Sequence, residues 1–120
     1  MKTRLRTALV ASLVLASLAL PASSWGAPVR IRATTNDTWS PDYQHVSPGT
    51  RVVWTNRDTE AHDLTAYGRN WDKRVILQPE QRTSKTFRKT GTFKYRCTVT
   101  GHSSVNDGRC VGMCGKVRVH

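Results

Sequence analysis

Apolar and polar positions alternate in short runs along most of this chain. Between Pro28 and Thr34, Val29, Ile31 and Ala33 interleave with Arg30 and Arg32, the period of two that a strand with one buried face requires. Similar short runs occur at Tyr43 to Val46, Arg51 to Thr55, His62 to Ala66, Thr83 to Arg88, Thr92 to Thr98 and Gly115 to His120. The segment Arg51 to Thr55 (RVVWT) adds the β-branched and aromatic residues that fit a pleated, half-buried surface. Val75 to Leu77 is a brief apolar run, and Tyr67 to Lys73 is irregular with no helical period. Turn chemistry separates the runs, as at Ser47-Pro48-Gly49-Thr50, where proline presets φ and glycine accepts the left-handed region. The pattern predicts an all-β protein, an antiparallel Greek-key β-sandwich of about seven to eight strands.

The first residues follow a different rule. Lys2, Arg4 and Arg6 precede an unbroken apolar and small run from Ala8 to Leu20, then Pro21 to Ala27 (PASSWGA). This is the pattern of a cleaved secretory signal peptide, with an apolar run short for a membrane span. The expected division is a signal peptide at 1–27 and one domain at 28–120, exported to the periplasm or beyond and not stably inserted in a membrane. Trp25 sits awkwardly for a cut after Ala27, so Ser24 and Gly26 stay open as cleavage points; an uncleaved anchor is the rival reading. From residue 28 onward, sixteen Lys and Arg face eight Asp and Glu, a net charge of +8. Such a charge suits an acidic partner surface, because complementary charge speeds encounter. Nucleic acid is disfavoured, since the basic residues are scattered through strand-like segments with no basic helix and no aromatic RNA-binding signature.

Chemistry concentrates near the end. Tyr95 to Val119 (YRCTVTGHSSVNDGRCVGMCGKVRV) holds all three cysteines, His102 and Met113, the one methionine besides Met1. Thiolate, thioether and imidazole are donors that copper favours and that magnesium or calcium does not. An odd cysteine count in an exported protein leaves one thiol for another task. Cys110 and Cys114 are the natural disulfide pair, leaving Cys97 free; a bridge through Cys97 with one stray thiol is the other possibility. Cys97 and His102 could hold a metal from one loop, His62 could supply a third ligand from the far end of a strand, and Met113 a fourth. Two imidazoles and a thiolate with a weak axial thioether describe a blue-copper electron-transfer site. Zinc held by three cysteines and a histidine is the competing metal, though the chain has one close cysteine pair and no second. His45 and His120 read as surface histidines.

Four fragments in order resemble the cupredoxins, small type 1 copper proteins of the plastocyanin and azurin kind. They are Val46-x-x-Gly49-x-x-Val52-x-Trp54-x-Asn56-x-Asp58 followed by His62; Phe87 with Gly91-x-Phe93-x-Tyr95-x-Cys97; Cys97-Thr98-Val99-Thr100-Gly101-His102; and Met113-x-Gly115-x-Val117-x-Val119. The resemblance spans Val29 to Val119. It implies one copper ion held by His62, Cys97, His102 and Met113, a loop-fixing role for Asn56, and electron exit through the edge of His102. One departure stands out: ten residues, Ser103 to Gly112, lie between His102 and Met113, where the family has only a few. A Cys110–Cys114 bridge across this insertion would hold Met113 in place.

The function expected is a small exported monomer that shuttles single electrons through Cu(I)/Cu(II) cycling with an acidic redox partner. Two rivals are a copper carrier or resistance protein binding Cu(I) through Cys110 and Cys114, and a small-molecule oxidoreductase. For the latter, Glu60 and Asp63 are the acids near the ligands, and no open metal position is evident, so no enzyme activity is expected.

Overall fold

The computed structural model describes residues 26–120; the expected signal peptide at 1–27 therefore lies outside the described residues, except for Gly26 and Ala27. Eleven strands follow one another without a helix among the described residues: β1 (Val29–Ala33), β2 (Trp39–Ser40), β3 (Tyr43–Val46), β4 (Thr50–Asn56), β5 (His62–Tyr67), β6 (Arg74–Leu77), β7 (Arg82–Phe87), β8 (Gly91–Arg96), β9 (Ser103–Asn106), β10 (Arg109–Gly112) and β11 (Cys114–Val119).

Nine of them make the sandwich. One sheet runs β2-β1-β4-β7 and the other β3-β11-β8-β5-β6, while β9 and β10 pair only with each other. The sandwich is mixed: β1 lies parallel to β4, and β3 parallel to β11, beside antiparallel neighbours. The chain changes sheets between β2 and β3, and β1 and β3 each lie parallel to a strand further along the sequence. The strand count exceeds the expected seven to eight because β2 is only two residues long and the 103–112 insertion folds as a hairpin.

Alternation along β1, β8 and β11 builds much of the core and then delivers the site. Ile31 and Ala33 of β1, Val52, Trp54 and Asn56 of β4, and Val117 and Val119 of β11 are all buried. On β8 the inward stripe is Phe93 and Tyr95, and one further step of two places Cys97, just past the strand, in the same interior. The centre is aromatic: Trp54 meets Tyr95 edge-on at 5.4 Å between centroids, and Trp39 meets the same ring at 5.6 Å. Such pairs add about 0.5–1.5 kcal/mol each beyond their buried area. Gly115 lies opposite Tyr95 on β11, and a Cβ there would stand 2.3 Å from the phenol oxygen. Only glycine leaves that ring its place.

The insertion is ordered by a two-residue turn. Asp107 and Gly108 have φ of 50° and 72°, the paired left-handed residues that match the twist of a hairpin. Cys110 of β10 is disulfide-bonded to Cys114 of β11, which ties the hairpin to the second sheet. Cys97 is the free cysteine and is buried.

Candidate metal centre

The three expected ligands with nitrogen or thiol donors converge at one pole of the sandwich. His62 opens β5, Cys97 follows β8, and His102 precedes β9; their donor atoms lie within 4.8 Å of one another. The Cys97 sulfur is 3.7 Å from Nδ1 of His62 and 3.6 Å from Nδ1 of His102. These gaps are long for direct hydrogen bonds. A first-row metal bonded at about 2.3 Å to sulfur and about 2.0 Å to nitrogen, with angles of roughly 110–120°, separates the donors by about 3.5–3.7 Å. The donors therefore fit around such an ion.

Met113 is also fully buried, and its backbone is fixed to both neighbours. Its N–H donates to the His102 carbonyl at 2.8 Å, and its carbonyl accepts from the Cys97 N–H at 3.0 Å. The insertion thus lengthens the route from His102 to Met113 without separating their backbones. Gly112, at φ 100°, permits this approach: a Cβ there would meet the His102 carbonyl oxygen at 2.3 Å. His45 and His120 meet edge-on at the other end of the sandwich, 4.9 Å apart, in keeping with a surface role.

A polar frame surrounds the donors. Asn56, fully buried, donates to the carbonyls of Glu60 and Leu77 at 2.7 and 2.8 Å and accepts from the Asp58 N–H at 2.9 Å. One side chain therefore joins the end of β4, the following loop and β6. Asp58 in turn sits 2.8 Å from Nε2 of His62, and this bond holds its carboxyl below the usual carboxylate range. Asp63 accepts from the Thr98 N–H at 2.7 Å and from the Thr98 hydroxyl, while its own N–H points at the Cys97 sulfur from 3.4 Å. Its carboxylate is occupied in clamping the residue after Cys97. Burial pushes the Cys97 thiol up, and the Asp63 N–H offsets part of that rise.

One neighbour has no sequence signal. Asp37, between β1 and β2, places its carboxylate oxygens 3.9 Å from Nε2 of His62 and 3.8 Å from Nε2 of His102. It lies twenty-five residues before His62 in a Thr-Asn-Asp-Thr turn that reads only as loop. The disulfide also narrows the chemistry: bonded to each other, Cys110 and Cys114 cannot act as thiolates toward zinc or Cu(I).

No family model matches the chain, and no curated protein matches it by sequence. Solved structures do. A purple cupredoxin from Nitrosopumilus maritimus superposes with a TM-score of 0.61 at 21% identity, covering 77% of this chain and 99% of that one. A reduced amicyanin mutant gives 0.62 at 23% identity over 82% of this chain and 88% of that one. A copper-containing nitrite reductase from Thermus scotoductus gives 0.61 at 22% identity, covering 78% of this chain but 22% of its own. These likenesses fix the architecture: an all-β sandwich with the cupredoxin fold. At its pole the two histidines and the cysteine have the donor spacing that fits a type 1 copper site, with the backbone of the buried Met113 bonded beside them.

Proposed function

We propose that this chain is an exported type 1 copper protein that carries single electrons between redox partners. The observation that supports this best is the convergence of the Cys97 sulfur and the two Nδ1 atoms at 3.6 and 3.7 Å, a metal's spacing. His62, Cys97 and His102 would hold the ion, with Met113 as a fourth donor, and copper so held would supply a reversible Cu(I)/Cu(II) couple. Soft sulfur beside imidazole selects copper over hard cations, and the disulfide removes the thiols that would favour zinc.

His62, Cys97 and Met113 are fully buried, so an outside molecule meets the site through His102, whose side chain is 13% exposed. That arrangement suits transfer through a ligand edge and offers a substrate no direct approach, which is why an electron carrier is favoured over an enzyme. The frame of Asn56, Asp58 and Asp63 holds the donors from three elements, so they keep one geometry whichever oxidation state is present. The partner we propose carries an acidic surface. Arg30, Arg32, Arg51 and Arg82, all exposed, lie on the outward rows of β1, β4 and β7, where Arg32 aligns with Thr55 and Arg82, Arg30 with Val53 and Ser84, and Arg51 with Thr86.

The test is to add Cu(II) to the protein from residue 28 onward and record its visible spectrum. Intense blue absorption is expected, absent from Cys97→Ser and retained, weakened or shifted, when Cys110 and Cys114 are both changed to Ser. No colour, or a colour that survives Cys97→Ser, would sink the proposal.

A further inference from the structure

The outer nitrogens of both histidines face carboxylates. Nδ1 of each ring points to the Cys97 sulfur, so Nε2 of each points away from it. Nε2 of His62 already has Asp58 at 2.8 Å. Asp37 is the group that both rings share, at 3.9 and 3.8 Å, and its carboxylate spans two rings whose centroids are 5.0 Å apart. Glu60 completes the arrangement, since its carboxylate, that of Asp37 and a His102 nitrogen lie within 4.8 Å of one another.

Asp37 is held there by its own turn. Thr34 N–H donates to the Thr38 carbonyl at 2.9 Å, Asp37 N–H donates to the Thr34 carbonyl at 3.2 Å, and the two threonine hydroxyls are 2.7 Å apart. Asp37 has φ 53°, a left-handed conformation that Asp and Asn tolerate better than other side chains. The loop joining two strands of one sheet thus presents an anion to ligands borne by the other.

We propose that Asp37 sets the reduction potential of the site by biasing it toward the more positive, oxidised state. This rests on the copper reading above and specifies a group that tunes it. At 3.8 and 3.9 Å the Asp37 carboxylate is beyond hydrogen-bond distance of both Nε2 atoms, so it acts through space as a charge. A fixed negative charge stabilises the state with one more positive charge, lowering the potential. Asp37 is 45% exposed, so water and salt screen it, and the effect is on the order of tenfold rather than many orders of magnitude.

The experiment measures the midpoint potentials of the copper-loaded protein and of Asp37→Asn and Asp37→Ala, at low and at high salt. Asn keeps the size and tolerates the left-handed backbone, so it removes the charge alone. Both variants should stay blue and shift the equilibrium about tenfold toward Cu(I), about 59 mV upward for one electron. The shift should shrink at roughly 1 M salt, which a purely structural role would not produce. An unchanged potential in blue Asp37→Asn would overturn the proposal, as would a shift in Ala that Asn lacks, because the charge would then be irrelevant. A wild-type protein that stays colourless with Cu(II) would overturn the copper reading and this inference together.

Discussion

Replacing Asn56 with Ala removes a single amide that three backbone groups depend on. The change deletes the donors to the Glu60 and Leu77 carbonyls and the acceptor for the Asp58 N–H, while leaving the aromatic core untouched. A buried polar group stripped of its partner costs about 1–3 kcal/mol. The Leu77 carbonyl and the Asp58 N–H are in buried bonds, whereas Glu60 is exposed and water can replace the amide there. Two full penalties, eased by some relaxation of the loop, give a loss of about 3 kcal/mol. Against a domain stability of about 5–15 kcal/mol, that is a large fraction. For a domain of this size each kcal/mol moves the midpoint by about 4–8 °C, so the expected drop is about 12–24 °C. Urea unfolding of the copper-free protein, followed by circular dichroism, measures the free-energy loss without interference from the metal. The same variant should bind copper more weakly, since Asp58 loses the anchor that holds it against His62. A loss under about 1 kcal/mol would refute the reasoning and mean that the loop is held by other contacts.

Two further outcomes follow from the geometry. Gly112→Ala forces a Cβ toward the His102 carbonyl oxygen from a left-handed backbone, so a stability loss of about 2–3 kcal/mol and faster copper release to a chelator are expected; unchanged release would mean that the Met113 segment does not hold the site shut. The raised Cys97 thiol makes copper-free stability depend on pH. The unfolded chain loses its thiol proton near its ordinary value of about 8.5 while the folded one keeps it. Stability should therefore be full below that value and fall as pH rises toward the elevated folded value. In pH-jump unfolding, Cys97→Ala should remove the part of the loss that begins at about 8.5, leaving the loss at higher pH that buried Tyr95 adds.

The strands are legible in the sequence because each buries one face. Val29, Ile31 and Ala33 on β1, and Phe93 and Tyr95 on β8, alternate with polar residues so cleanly that the period of two reads directly. On β8 the same period carries Cys97 inward. The candidate ligands His62, Cys97 and His102 are legible because each stands where a strand meets a loop, and their donor atoms lie together. The hairpin at 103–112 reads from sequence only as an insertion, although Asp107-Gly108 is among the strongest short hairpin signals a chain can carry. The parallel pairings of β1 with β4 and β3 with β11 have no local signal, because a strand's own pattern does not say which neighbour it meets. Asp37 is invisible for a related reason: the role proposed for it comes from the position of a loop across the sandwich and from nothing in its own sequence.

The Cys110–Cys114 bond has a consequence for how the chain would mature in the oxidising compartment that the proposed export implies. Three thiols allow three pairings, and two of them would consume Cys97. Cys110 and Cys114 are four residues apart, whereas Cys97 lies thirteen and seventeen residues from them. Loop closure favours the shorter separation by about 1 kcal/mol, roughly a sixfold head start. Once β8 is packed, Cys97 is fully enclosed and beyond the reach of an oxidant. In such a compartment the hairpin would act as an internal sink for oxidation, taking up the two spare thiols early and leaving the third reduced.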